Sequence, residues 1–231
     1  MNGPRRYDAV VFDLLTALID SWTLWNRAAG SAADGLRWRR AYLELTYAAG
    51  QYRPYEDIVR QAAALARVDA SCASTLFAEW NTLPAWPETR QVLAALADRV
   101  PLGVVTNCSH TLGAAAVACT GGRFAAVVTA ESAGFYKPRP EPYEAMLKML
   151  GTDPARTLFV AGSAADVPGA KGVGMPVFWH NRMGLRPVDD ARPDFSAANL
   201  EPLLYLIRAC EDDRLSARRR GQEKGAGRGC C

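Results

Sequence analysis

Four places in this 231-residue chain set a chemically able side chain at the end of a short apolar run. Ala9-Val10-Val11-Phe12 ends at Asp13, and Leu102-Gly103-Val104-Val105 ends at Thr106 and Asn107. The run Ala125 to Thr129 is followed by Gly134-Phe135-Tyr136-Lys137-Pro138, and Thr157 to Ala161 by Gly162-Ser163-Ala164-Ala165-Asp166. A carboxylate held beside an ammonium stays ionised, because the opposite charge favours the charged form. Such a carboxylate can attack an electrophilic centre and carry it as an ester. A second carboxylate can then position or deprotonate the water that clears the ester. Asp13, Lys137 and Asp166 are therefore the expected catalytic residues, with the hydroxyl of Thr106 and the amide of Asn107 beside them.

These residues meet only if the runs are neighbouring strands with their carboxyl ends on one edge. Continuous rather than alternating apolar runs belong to parallel sheets buried on both faces. A fifth such run is Pro176-Val177-Phe178-Trp179. Helical patterns separate the runs at 88–98, 111–118, 142–150 and 166–171. The expected fold class is α/β, a doubly wound parallel sheet of Rossmann-like type, which binds ligands outside the carboxyl ends of its strands.

One interval breaks the rhythm. From Asp20 to Trp86 no strand pattern occurs, only helical stretches such as Trp38-Tyr42-Leu45-Ala49 and Ile58-Ala62-Leu65, broken at Gly30, Gly35, Gly50 and Pro54. The expected organisation is a catalytic core of residues 1–19 and 86–213, with a small helical cap of residues 20–85 inserted after the first strand. A basic tail of residues 214–231 is expected to be disordered.

Composition limits the alternatives. Apolar residues make up 49% and charged residues 22%, as in an ordinary globular protein. No apolar run approaches the length of a membrane span, and no signal-peptide pattern precedes Asp13. The expectation is a cytoplasmic protein whose six cysteines are reduced, with no metal-ligand spacing among them. From Arg214 onward six basic residues face one acid, a net of +5, which leaves about −2 for the rest of a chain whose total is +3. The body carries no basic, aromatic-interleaved stripe, so no nucleic-acid partner is expected. Two histidines make a zinc site or serine triad improbable. Trp22 and Trp25 read as packing, and Cys108 as a buried, inert thiol.

In order and spacing, Phe12-Asp13, Thr106-Asn107, Lys137-Pro138 and Asp166 resemble the four motifs of the haloacid dehalogenase superfamily. The resemblance runs from about Tyr7 to Leu185 and includes the position of the cap. Within the superfamily it leans toward the L-2-haloacid dehalogenases. The second aspartate of the metal-dependent phosphatases is replaced by Leu15, and their extra acid in motif four by Gly162. Trp38-Arg39-Arg40-Ala41-Tyr42-Leu43-Glu44 resembles the dehalogenase helix whose arginine grips the substrate carboxylate or the departing halide, which places Arg39 in that role. Tyr143 matches a dehalogenase tyrosine near the nucleophile, and Trp179-His180-Asn181-Arg182 is similar to the pattern after the last strand. Three positions depart from the family. The hydroxyl expected four residues after the nucleophile is Ala17, with Thr16 one place early. Ser163 stands for the motif-four asparagine and Ala161 for its serine.

The resemblance implies hydrolytic dehalogenation of a small 2-halocarboxylic acid with no metal or organic cofactor. Asp13 would form the ester and Asp166 direct the water. Thr106 and Lys137 would hold Asp13, while Arg39 and Asn107 stabilise carboxylate or halide. Thr16, Ser163 and Tyr143 complete the expected substrate-binding set. Open alternatives are a magnesium-dependent phosphatase, a Schiff-base phosphonate hydrolase (disfavoured by the lack of lysine in the cap) and a non-catalytic binding or regulatory relative. A homodimer is an expected assembly. Gly229-Cys230-Cys231 after the arginine cluster resembles a doubly prenylated end, the one route by which a membrane would become a partner.

Overall fold

Each of the five apolar runs forms a strand of one parallel sheet in the computed structural model, which describes residues 6–207. The strands are β1 (Ala9–Phe12), β2 (Leu102–Thr106), β3 (Ala126–Thr129), β4 (Thr157–Ala161) and β5 (Val177–His180). A sixth, β6 (Phe195–Ala197), extends the sheet to the order β3-β2-β1-β4-β5-β6, every pair parallel. The order reverses at β1, so the crevice at the switch point opens over the ends of β1 and β4. Alternate strand residues supply two apolar layers. Val10, Phe12, Val104 and Val160 pack on one face, and Val11, Val105, Phe159 and Val177 on the other. Truncating a side chain such as Phe159, which has no exposed surface, costs about 3–5 kcal/mol by lost transfer and cavity terms. Strand β6 escapes sequence reading because it has three residues, none fully buried, and alternates about the exposed Ser196.

Helices α1 (Ser21–Ala28), α2 (Ala32–Ala49), α3 (Tyr55–Leu65) and α4 (Ser71–Ala78) fill the interval between β1 and α5 (Thr89–Ala97). The side chain of Asp20 caps α1 by accepting from the Thr23 amide, and that of Ser31 caps α2 by accepting from Asp34. Every fourth residue of α2 turns Trp38, Tyr42 and Thr46 inward. Trp25 meets Trp38 at 4.6 Å between ring centroids and Tyr42 at 5.3 Å, and Tyr55 continues the cluster to Trp80. The Trp38 indole donates to the Val59 carbonyl at 2.9 Å, which locks α2 to α3. Where the chain leaves and rejoins the sheet, Ile19 and Ala85 pair in an antiparallel bridge.

Helices α6 (His110–Thr120), α7 (Ala130–Ala133), α8 (Pro140–Leu150) and α9 (Asp166–Gly172) complete the crossovers. The inserted helices are fastened to the segment between β3 and α8. Gln51 pairs with Phe135, the Tyr52 amide donates to the Gly134 carbonyl at 2.8 Å, and the Tyr136 amide donates to Gly50 at 2.7 Å. The Tyr136 hydroxyl adds a bond to the Arg53 carbonyl at 2.7 Å. No helix among the described residues is long and apolar enough to cross a membrane. Cys210, Cys230, Cys231 and the basic tail lie outside the described residues, as does the end of the expected core at 213.

Candidate active site

Asp13 is the first residue after β1, and its own turn wraps its carboxylate. Oδ2 accepts from the Thr16 amide at 3.1 Å, the Thr16 hydroxyl at 2.6 Å and the Ala17 amide at 3.2 Å. Oδ1 accepts from Lys137 Nζ at 2.8 Å. The same ammonium meets Asp166 Oδ1 at 3.0 Å, so one buried lysine bridges two buried carboxylates. Burial alone would raise the Asp13 pKa, but the Lys137 charge and the donors of Lys137 and Thr16 outweigh it and hold the carboxyl below its ordinary value. For Asp166 burial prevails over the lysine, and the neighbouring Asp13 adds to it, so this carboxyl is pushed up. Burial would discharge Lys137; the two carboxylates overcome it and keep the ammonium charged. The pair is thus divided into a poorly basic and a more basic carboxylate, the division that separates a nucleophile from a general base.

Asp166 opens α9, and α8 supplies its back wall. Tyr143, with no exposed surface, donates its hydroxyl to Asp166 Oδ1 at 3.2 Å. The Asp166 amide donates to the Ser163 hydroxyl at 3.3 Å. Asp166 Oδ2 is buried with no hydrogen-bond partner among the described residues, an acceptor left over for whatever enters the site.

A cavity of about 280 Å³ opens in front of the two carboxylates, bordered by every expected site residue except Tyr143. Its other wall is α2, whose residues Leu36, Arg39, Leu43 and Tyr47 recur at helical spacing. Arg39 is buried and lies over the Trp22 ring at 3.9 Å. One of its terminal nitrogens donates to Ser21 Oγ at 2.9 Å, while Nε has no partner among the described residues. Burial disfavours its charge and lowers its pKa, yet a guanidinium stays protonated at any physiological pH. It is a fixed cation in the wall, with donors to spare for an anion.

Three residues that border the cavity make other contacts than the expected ones. Thr16, expected on the substrate side, is the hydroxyl that holds Asp13. Thr106, expected to hold Asp13, turns its hydroxyl to Cys108 Sγ at 3.3 Å. Asn107, expected to face carboxylate or halide, spends its amide on the Lys137 backbone, accepting from N at 2.7 Å and donating to O at 3.1 Å. Thr16 meets Asp13 because the chain turns back immediately after it, carrying Thr16 under the Asp13 carboxylate. Gly162 explains the room for that turn: a Cβ there would collide with the Thr16 hydroxyl and the Ala17 amide. An acid at 162 is therefore incompatible with this loop, and the Leu15 side chain offers no oxygen. Among the described residues no group of three His, Cys, Asp or Glu side chains is arranged to hold a metal ion.

Ser21, Trp22 and Tyr47 are site residues that sequence reasoning missed. Ser21 joins Arg39 to the Leu15 carbonyl. Trp22, expected as packing, is the platform under Arg39. The ring of Tyr47 is partly exposed, but desolvation of its phenol and the charge of Asp166 push it up to about 12, so it stays a neutral donor. The spacing of Tyr47 eight residues after Arg39, two helical turns, was the available signal.

A family model described as haloacid dehalogenase-like hydrolase matches residues 7–174. Haloacetate dehalogenase H-2 of Moraxella sp. (strain B) is 28% identical over 221 residues, spanning 88% of this chain and 99% of that protein. The (S)-2-haloacid dehalogenase of Xanthobacter autotrophicus is 29% identical over 73% of each chain. A solved L-2-haloacid dehalogenase from Xanthobacter autotrophicus superposes with a TM-score of 0.77 at 25% identity, covering 87% of this chain and 98% of that one.

Proposed function

Because this chain belongs to the haloacid dehalogenase-like hydrolase family, we propose that it hydrolyses the carbon–halogen bond of a small 2-halocarboxylic acid through an Asp13 ester, without a metal. The observation that carries the reading is the environment of Asp13: an ionised carboxylate, tied on one oxygen by three local donors, facing a cavity whose opposite wall holds a buried arginine. The names of the similar dehalogenases agree with it.

In this reading residues 20–85 act as a cap that supplies Arg39. The substrate carboxylate or the departing halide is held by Arg39. Asp13 Oδ1, with a single donor, keeps electron density for attack on C2 from the side opposite the halogen. The C2–O bond forms as the carbon–halogen bond breaks, the halide leaves with the bonding pair, and C2 is inverted. Asp166 Oδ2 takes a proton from water as the hydroxide attacks the ester carbonyl of Asp13. The acyl C–O bond then breaks, the departing alkoxide takes the remaining hydroxyl proton, and Asp166 gives its proton up to solvent. The products are the 2-hydroxy acid and regenerated aspartate. Lys137 stabilises charge on both carboxylates throughout, in a site from which cap and sheet exclude most water.

The test is chloride release from 2-chloropropionate with and without EDTA, together with mass spectrometry of an Asp13 ester trapped during turnover. Chloride release that survives chelation and an adduct on Asp13 are expected. Phosphate-ester hydrolysis restored by magnesium, with no chloride release, would transfer the site to the phosphatase reading.

A further inference from the structure

The turn that wraps Asp13 is held from behind. The two peptide units whose N–H groups reach Asp13 Oδ2 are those joining residues 15–16 and 16–17. The N–H and C=O of a trans peptide point in opposite directions in one plane. Whatever fixes the carbonyl therefore fixes the direction of the N–H. The Leu15 carbonyl accepts from Ser21, already tied to Arg39. The Thr16 carbonyl accepts from the indole of Trp86 at 3.0 Å, and the next one, of Ala17, meets His180 Nδ1 at 2.8 Å.

Trp86 and His180 form one buried unit. Their rings meet edge to face at 6.1 Å, and the Arg182 guanidinium lies over the indole at 4.6 Å. Arg182 Nε donates to His180 Nε2 at 3.3 Å, and Glu88 pairs with the outer end of Arg182. Both imidazole nitrogens face groups of fixed character. A carbonyl oxygen only accepts, which assigns the hydrogen to Nδ1, and a guanidinium only donates, which leaves Nε2 bare. The Ala198 backbone and the Glu88 charge act the other way, but burial and Arg182 prevail and lower the pKa. His180 is thereby held neutral in a single tautomer, as a donor to Ala17.

We propose that Trp86 and His180 are positioning residues: Trp86 holds the Thr16 carbonyl and so aims the Ala17 N–H of the same peptide at the nucleophile, and His180 holds the next carbonyl, of Ala17, and so keeps that residue from rotating away. The proposal rests on the reading of Asp13 as nucleophile but not on the identity of the substrate. Neither side chain borders the cavity, so both act through the backbone.

The test uses W86F, which keeps an aromatic ring and removes only the indole donor, with H180L and H180N. Asparagine can place an amide N–H where Nδ1–H stands, while leucine cannot. In chloride release from 2-chloropropionate, W86F and H180L are expected to lose roughly ten- to a hundred-fold in kcat, as small misplacements of reacting groups do, with KM within about twofold. H180N is expected within about fivefold of wild type. Crystal structures of W86F and H180L should show the 3.2 Å contact from the Ala17 amide to Asp13 lost. Variants that only melt earlier, with kcat and that contact unchanged, would overturn the clamp, as would equal losses in H180N and H180L. If W86F does not fold, the two His180 variants decide alone. If the wild type releases no chloride, the dehalogenase reading fails, and the crystal structures still decide the clamp.

Discussion

Tyr143 stands against Gly169 so closely that a Cβ on residue 169 would lie 2.6 Å from the phenol oxygen. That oxygen is the one donating to Asp166. The space of one methyl group therefore governs whether the second carboxylate keeps its donor. Gly169→Ala should push the phenol aside and lower kcat by about tenfold, through loss of orientation rather than of a reacting group. Tyr143→Phe should lose a similar amount, and the double variant little more, since both remove one interaction. Steady-state kinetics on the three variants checks this, and additive losses would refute it.

Asp13→Asn preserves shape and removes the proposed nucleophile. Turnover should fall about 10³-fold or more, with a lower melting temperature, because the buried Lys137 ammonium keeps only one of its two carboxylate partners. Residual activity within tenfold of wild type would remove Asp13 from the role.

Arg39→Lys keeps the charge and discards the planar fork that lies on Trp22. A lysine cannot stack on the indole and grip an anion with paired donors. A loss of about 10²-fold in kcat/KM is expected, in the range of two to three kcal/mol for charge-assisted bonds. Unchanged kcat/KM for 2-chloropropionate would show that the anion is held elsewhere.

The pH dependence of stability should carry the signature of His180. Burial lowers its pKa below the ordinary 6.5, and Arg182 acts in the same direction. The unfolded chain therefore binds a proton that the folded one refuses, and stability drops as pH falls below about 6.5. Above that value the group has no effect. Wild type should lose more melting temperature between pH 7.5 and 5 than His180→Asn, which has nothing to titrate. Parallel curves would contradict the neutral assignment.

The strands and the identity of the charged trio could be read from the sequence because each depends on local order: an apolar run, then a polar residue at its end. Cross-chain relations were not legible in this way. Nothing in the order Asp13-Leu14-Leu15-Thr16 says that the chain doubles back, so the bond from Thr16 to Asp13 was not foreseen. Trp86 and His180 likewise look like ordinary packing residues until the carbonyls they meet are known. Strand β6 was missed because a three-residue edge strand needs no apolar run.

The bridge between Gln51 and Phe135 has a mechanical corollary. Lys137 sits two residues beyond the bridge, and the Tyr136 bonds to Gly50 and Arg53 lie between. A swing of the inserted helices wide enough to bare Asp13 must either break these bonds or drag the lysine with it. Uncovering Asp13 and withdrawing the Lys137 ammonium from it would then be one movement. The ion pair is fastened to the position of the inserted helices by the backbone bonds on either side of Tyr136.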